Sequence, residues 1–358
     1  MALTDDLPAD ELMTLAARHL RRHVENVFGA ACVVPGQAVT IAHDLVVADQ
    51  MGMHSHGVNR VGEYLGAIEV GKIDVHGACS VVSETASTAL IDGGRGFGQC
   101  IGRFALDTAE RKAREAGAVV VVARNSHHIG RVGVLGELAA ERGLLALALV
   151  AVGTPGRVAP LGGAEGRLGT NPIAYGVPTA AGPVVADFAT SAIPEGAVKL
   201  ARKLGHALPE GMLIDGAGSP TTRPEALYAD PPGAIVPFGG AWSHRGYALN
   251  LMVELFGGSL GGYGPCDPDR SSNSLFLLVI DPDALLPAGD FPALAGATVD
   301  FVKSSRRVGE NPVQVPGEPE ARALDRSGDQ VTLPSATISS LNGLAERLGL
   351  ADRLTSVT

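Results

Sequence analysis

Six consecutive apolar residues, Ala118-Val119-Val120-Val121-Val122-Ala123, run straight into Arg124-Asn125-Ser126-His127-His128-Ile129-Gly130. A valine-rich run of this length, with no polar alternation, reads as a strand buried on both faces, the setting of an α/β fold. Polar, titratable residues at the carboxyl end of such a strand stand where α/β proteins commonly build their sites. A second polar cluster, His54-Ser55-His56-Gly57-Val58-Asn59-Arg60, lies upstream. Together the clusters offer a proton-transfer group and an anion clamp, the equipment of an enzyme acting on a small carboxylate.

The rest of the chain narrows the class. Its 358 residues suffice for a full core and two lobes. A formal charge of -10, with no basic run longer than Arg21-Arg22 or Arg306-Arg307, argues against nucleic acid as a partner. Cys32, Cys79, Cys100 and Cys266 show no paired spacing and read as reduced thiols. The start, Met1-Ala2-Leu3-Thr4-Asp5-Asp6, lacks the basic and apolar segments of a signal peptide. The apolar run Leu144 to Val152 is too short to span a bilayer as a helix. The expectation is a soluble, cytoplasmic protein with no membrane partner.

Periodicity predicts a helix through Leu12, Leu15, Ala16, Leu20, Val24 and Val27, entered through Pro8, Asp10 and Glu11, and a second over Ala38 to Ala48. Strands are predicted at Ser80-Val81-Val82, Thr88–Ile91, Ala118–Ala123, from Leu144, and at Leu275–Ile280. Helices are predicted at Ile101–Ala116, closed by Gly117, then Val132–Arg142, Glu195–Leu204, Tyr247–Phe256 and Ser339–Leu348. The order strand, His127-His128 turn, helix, strand reads as a βαβ unit.

No G-x-G-x-x-G follows a strand: Gly94-Arg95-Gly96-Phe97-Gly98 has the wrong spacing and Gly130-Arg131-Val132-Gly133 lacks the first pair. A Walker A loop is absent too, so a nucleotide cofactor would sit in another framework. His127 and His128 diverge if the backbone there is extended, so only one of them is expected to face a given pocket. Zinc held by His54, His56 and His128 is a weak signal, and no metal is expected. Arg60 has the fork geometry that grips a carboxylate. Gly169-Thr170-Asn171-Pro172 reads as a polar turn, and Gly239-Gly240 ahead of Arg245 as either a flexible loop or an anion pocket at a helix start.

In order along the chain, Ser55-His56-Gly57-Val58-x-Arg60, Arg124-Asn125-Ser126-x-His128-x-Gly130, Leu168-Gly169-Thr170-Asn171-Pro172, Asp187-Phe188-Ala189-Thr190-Ser191, Pro209-Glu210-Gly211, Arg245-Gly246-Tyr247-x-Leu249 and Pro316-Gly317-Glu318 form a set. This set resembles the type 2 malate/L-lactate/L-sulfolactate dehydrogenase family, whose relatives include ureidoglycolate dehydrogenase, diketogulonate reductase and Δ1-piperideine-2-carboxylate reductase. The resemblance implies a mixed α/β, non-Rossmann NAD(P)-binding fold and a homodimer. It also implies a helical segment over residues 1–75 packing with a C-terminal helix in 330–358, and a mixed-sheet, cofactor-binding and catalytic region over 76–329.

By the same resemblance, His128 is the acid/base, Ser55 and His56 shape proton transfer, and Arg60 and Thr170 hold a small 2-oxo or 2-hydroxy acid. His128, Ile129, Gly130, Asp187, Phe188, Ala189 and Arg245 then contact NAD or NADP. Imine-reducing relatives use an acidic residue where Ala197 stands, and Glu195 occupies a place that is often basic. Arg245 replaces a common lysine, keeping the charge but changing its geometry.

Overall fold

The computed structural model describes residues 11–153, 156–264 and 272–356. Cys266 and the residues preceding Glu11, discussed above, lie outside them; Cys32, Cys79 and Cys100 are free thiols.

The described chain enters through a strand, not the expected helix. β1 (Leu12–Ala16) pairs antiparallel with residues 330–334, in register from Leu12 with Pro334 to Ala16 with Gln330. Leucines at 12 and 15 suit helix and strand alike; the open edge of the late segment decides, burying Leu15 beside Val331 and Leu333. The helix begins at Ala17. α1 (Ala17–Ala30), α2 (Pro35–Gln50) and α3 (Val61–Glu69) follow, with Leu20, Val24, Phe28, Ile41, Leu45, Tyr64 and Leu65 in one apolar core. Proline at the first position of α2 fits the free N–H and fixed φ of a helix start.

The central layer holds β2 (Ser80–Glu84), β3 (Thr88–Gly96), β4 (Ala118–Ser126), β5 (Leu145–Ala151), β6 (Ile173–Val177) and β7 (Val184–Phe188). α4 (Gly98–Ala116) links β3 to β4, and α5 (Gly133–Glu141) links β4 to β5. Gly117, at φ +80°, ends α4 as expected. Beyond β7, α6 (Glu195–Leu204) packs on a small sheet of β8 (Leu213–Ile214), β9 (Pro220–Thr221) and β10 (Ala234–Ile235), around Val198, Ala201 and Leu227. α7 (Ser243–Val253) runs on into a π-helical turn, Glu254–Ser259.

β11 (Asn273–Ile280) then inserts between β4 and β5, antiparallel to both, and the seven-stranded order is β2-β3-β4-β11-β5-β6-β7. The βαβ reading of β4, α5 and β5 is corrected accordingly: the two strands are parallel but separated, and the adjacent parallel pair is β3 with β4. A late strand as apolar as Leu275–Ile280 needs a central place, with both faces covered. Leu275, Leu277 and Val279 pack with α4 and α5, whereas Phe276 turns to the opposite face with Val253. α8 (Asp290–Lys303), α9 (Glu318–Ser327), β12 (Gln330–Pro334) and α10 (Ser335–Arg347) complete the chain, and α10 returns to the first core through Ile338, Leu341 and Leu344. Among the described residues no helix is long and apolar enough to cross a membrane.

α5 meets β6 backbone to backbone, because a Cβ on Gly176 would collide with the Gly136 carbonyl. Neither partner is a movable side chain. Gly176→Ala is therefore expected to cost about 1–3 kcal/mol, the usual range for overpacking. Urea unfolding that gives a lower midpoint at unchanged slope would show it; an unshifted midpoint would mean the layers separate freely.

Candidate active site

The carboxyl edge of β4 and the turns before α3 converge on one cavity of about 220 Å³, lined by His56, Arg60, Glu63, His127, His128, Ile129, Gly130, Thr170, Glu195 and Asn273 among others. His56 and His128 stack with ring centres 5.6 Å apart. Both His127 and His128 line this cavity, contrary to the expected divergence: β4 ends at Ser126, so strand alternation does not govern them.

The turn carrying His54, Ser55 and His56 is pinned from beneath. The buried Asp49 carboxylate, at the end of α2, bonds His54 Nδ1 at 2.8 Å and accepts the Val58 amide at 2.7 Å. Above it, Ser55 Oγ lies 2.9 Å from His56 Nδ1, and Arg60 Nε donates to the Ser55 carbonyl at 2.7 Å. Arg60 Nη1 donates to Glu63 at 2.6 Å. A Cβ on Gly196 would stand 3.1 Å from Arg60 Nη2, so a glycine there lets α6 close over the guanidinium.

His128 is held by its Nδ1. The Gly130 amide donates to that nitrogen at 3.2 Å, and the Tyr64 hydroxyl lies 2.7 Å from it. Gln99 Nε2 donates to the Tyr64 hydroxyl at 3.0 Å. A backbone N–H only donates, so Nδ1 is an acceptor and the neutral ring carries its proton on Nε2, the nitrogen left for a ligand. Burial, then the charge of Arg60, holds His128 well below the usual histidine value of 6.5. Burial and Arg60 likewise bring His56 down to about 3, and burial brings His127 to about 4. The cavity thus contains neutral imidazoles beside a guanidinium, which suits an anion whose neighbouring oxygen exchanges a proton.

Thr170 reaches the cavity from a different wall. Next to it Asn171, at φ +38°, is wholly buried: its Oδ1 accepts the Val152 amide at 2.9 Å, and its Nδ2 donates to Asn250 Oδ1 at 2.9 Å and to Glu254 Oε2 at 3.0 Å. Asn250 in turn donates to the Gly169 carbonyl at 2.9 Å.

The residues expected to hold cofactor divide. His128, Ile129 and Gly130 line the first cavity. Asp187 and Phe188 line a second, of about 470 Å³, with Arg131, Glu137, Tyr175, Pro316 and Gly317. Asp187 Oδ2 accepts the Gly133 amide at 2.7 Å, and burial raises its carboxyl to about 6. Ala189 continues the chain from Phe188 towards Thr190, which donates to the Asn171 carbonyl at 2.8 Å. Arg245 lines neither cavity; it is exposed and stacks over Trp242 at 4.8 Å. No cluster of three metal-binding side chains occurs among the described residues.

Tyr64, Glu63, Gln99, Asp49, Asn250 and Glu254 were not expected from the sequence. Glu63 and Tyr64 alone carried a local signal: they follow Arg60 by three and four residues, one helical turn.

The family model for malate/L-lactate dehydrogenase matches residues 15–342. A malate dehydrogenase of Pyrococcus horikoshii is 35% identical over 325 residues, covering 87% of this chain and 89% of the relative, and its solved structure superposes with a TM-score of 0.87 over 96% of this chain and 98% of that one. An L-lactate dehydrogenase of Cupriavidus necator is 32% identical, covering 95% and 99% of the two chains. The structure of the Δ1-piperideine-2-carboxylate reductase of Pseudomonas syringae pvar. tomato gives a TM-score of 0.82 at 32% identity, over 93% of this chain and 99% of the other. The chain belongs to the malate/L-lactate dehydrogenase family.

Proposed function

We propose that this protein is an NAD(P)-dependent dehydrogenase interconverting a small 2-hydroxy acid and its 2-oxo acid. The observation that carries the reading is the pairing, in one small cavity, of Arg60 with a histidine whose Nδ1 is already engaged. Arg60 holds the substrate carboxylate. In reduction the doubly protonated His128 ring gives its Nε2 proton to the C2 oxygen and keeps the proton on Nδ1, turned to the Tyr64 hydroxyl, and oxidation reverses the transfer. Ser55 and His56 orient this exchange, and Thr170 closes the opposite side. A bound nicotinamide supplies or accepts the hydride at C2.

The residues present fit such a cofactor. The two cavities lie on either side of residues 130–133: Gly130 and Val132 line the first, and Arg131 the second. His128, Ile129 and Gly130 would hold the nicotinamide end. Asp187, Phe188 and Ala189 would hold the adenosine end, with a carboxylate able to accept ribose hydroxyls; Arg245 would meet it from the α7 side. The homodimer implied by the resemblance and the cytoplasmic location expected from the sequence belong to this proposal. Reduction of a cyclic imino acid is the second reading, supported by the likeness to the Pseudomonas enzyme, and Ala197 gives it no acidic group.

Titration with NADH and NADPH, followed by nicotinamide fluorescence, is expected to show saturable binding of at least one. His128→Ala should bind it equally well while losing about 10²–10⁴ in turnover of 2-oxo acids, the usual worth of a positioned acid. Near-normal turnover would remove His128 from its role.

The pH profile carries a further expectation. Reduction needs a proton on the catalytic ring, and kcat/KM reports the free enzyme. Because His128 lies well below 6.5, kcat/KM for reduction should keep rising as pH falls through 6.5. A carboxylate on Arg60 offsets one of the charges that depress the ring, so the kcat profile should break at higher pH than the kcat/KM profile. A kcat/KM plateau beginning at 6.5 would contradict this.

A further inference from the structure

The charges around the catalytic cavity are nearly all spoken for. Besides Arg60, the cations that reach it or pair with its carboxylates, among the described residues, are Arg157 and Lys199. Arg60 is bonded to Glu63 at 2.6 Å, and Lys199 stands 3.4 Å from Glu63 and 3.9 Å from Glu195. Arg157 lies 3.3 Å from Glu195, with its guanidinium over the Tyr228 ring at 5.2 Å. Glu63 and Glu195 themselves line the cavity. Three cations against two carboxylates leave one positive charge, enough for one bound carboxylate. A second anion on the substrate would have no uncommitted cation to meet and would face the Glu195 carboxylate. The further lining includes the apolar Val150, Val152, Pro172 and Pro194.

We infer that the substrate is a monocarboxylate with a short, uncharged side chain, and that Glu195 is the residue that discriminates against a second carboxylate or a sulfonate. This rests on the dehydrogenase reading above. The physical ground is repulsion: like charges a few ångströms apart in a partly buried site cost far more than in water, and such a charge excludes a competitor without helping the preferred ligand. Removing the Glu195 charge does two things at once, because it lifts the repulsion and releases Arg157 and Lys199 to meet a distal carboxylate.

The test compares kcat/KM for pyruvate, hydroxypyruvate and oxaloacetate in wild type and in Glu195→Gln, using whichever reduced nicotinamide dinucleotide the protein binds. Wild type should favour the two monocarboxylates over oxaloacetate by about tenfold or more, and Glu195→Gln should raise the oxaloacetate-to-pyruvate ratio by about tenfold, the effect of little more than one kilocalorie per mole of repulsion. Oxaloacetate turned over by wild type as well as pyruvate or better would overturn the inference and leave the dehydrogenase reading standing. An unchanged ratio in a folded Glu195→Gln would remove Glu195 from the selection. Failure of wild type to reduce any of the three, despite binding dinucleotide, would overturn the reading on which the inference rests.

Discussion

The contact between the Tyr64 hydroxyl and Nδ1 of His128 joins the parts of this molecule. Tyr64 belongs to α3 and the helical core, His128 to the edge of the central sheet, and Gln99, which completes the chain of bonds, to the first turn of α4. Phe28 and Phe97 pack around the Tyr64 ring at 6.3 and 6.1 Å, so the phenol has little freedom to turn away. A hydroxyl buried this way would be costly without partners, and burial also keeps it un-ionised, with its pKa pushed above the usual tyrosine value. Satisfying it fixes three elements and one imidazole together. The orientation of the His128 ring is therefore a property of the tertiary packing and not of its loop.

The facing wall is built on a different principle. Asn171 sits in the left-handed region that a non-glycine residue adopts only when its surroundings demand it. Its amide group serves the β5 exit through Val152, α7 through Asn250 and the turn that follows α7 through Glu254, so three chain segments depend on one side chain. Glu254 opens the π-helical turn, and the wider turn there is of the kind found at functional sites. Thr170, the adjacent residue, inherits its position from this arrangement.

These two networks explain why some of the molecule was legible in the sequence and some was not. The valine run of β4, the amphipathic faces of α2 and α4, and the Gly117 stop are local signals, and the helices and strands they predict are present. The grouping of His56, Arg60 and His128 followed from the resemblance, and the structure places them around one cavity, where their roles remain a proposal. Residues 12–16 read as helix because spacing at 12 and 15 cannot distinguish the two periods over so short a stretch; a partner edge over 300 residues away settled it. The insertion of β11 between β4 and β5 is equally non-local. Asn250 and Glu254 looked like ordinary helix residues because a buried polar hub is recognisable only when its partners, here some 80 positions away in sequence, are brought to it.

The segment from Gly130 to Gly133 shows how closely the two cavities are tied. Its first amide fixes the tautomer of His128, and its last amide, at the start of α5, is received by Asp187. Between them, Arg131 is clamped by Glu137 through two bonds of 2.7 and 2.5 Å, so its charge is balanced at the second cavity while still contributing to the low pKa of His56 in the first. Four consecutive residues thus set a proton position on one side and a carboxylate position on the other. A ligand long enough to lie across them would be registered against both, and a displacement of Asp187 would be transmitted to the imidazole through a chain only four residues long. In a chain without a G-x-G-x-x-G loop, this short span with a hydrogen bond at each end ties the position of the His128 imidazole to that of the Asp187 carboxylate.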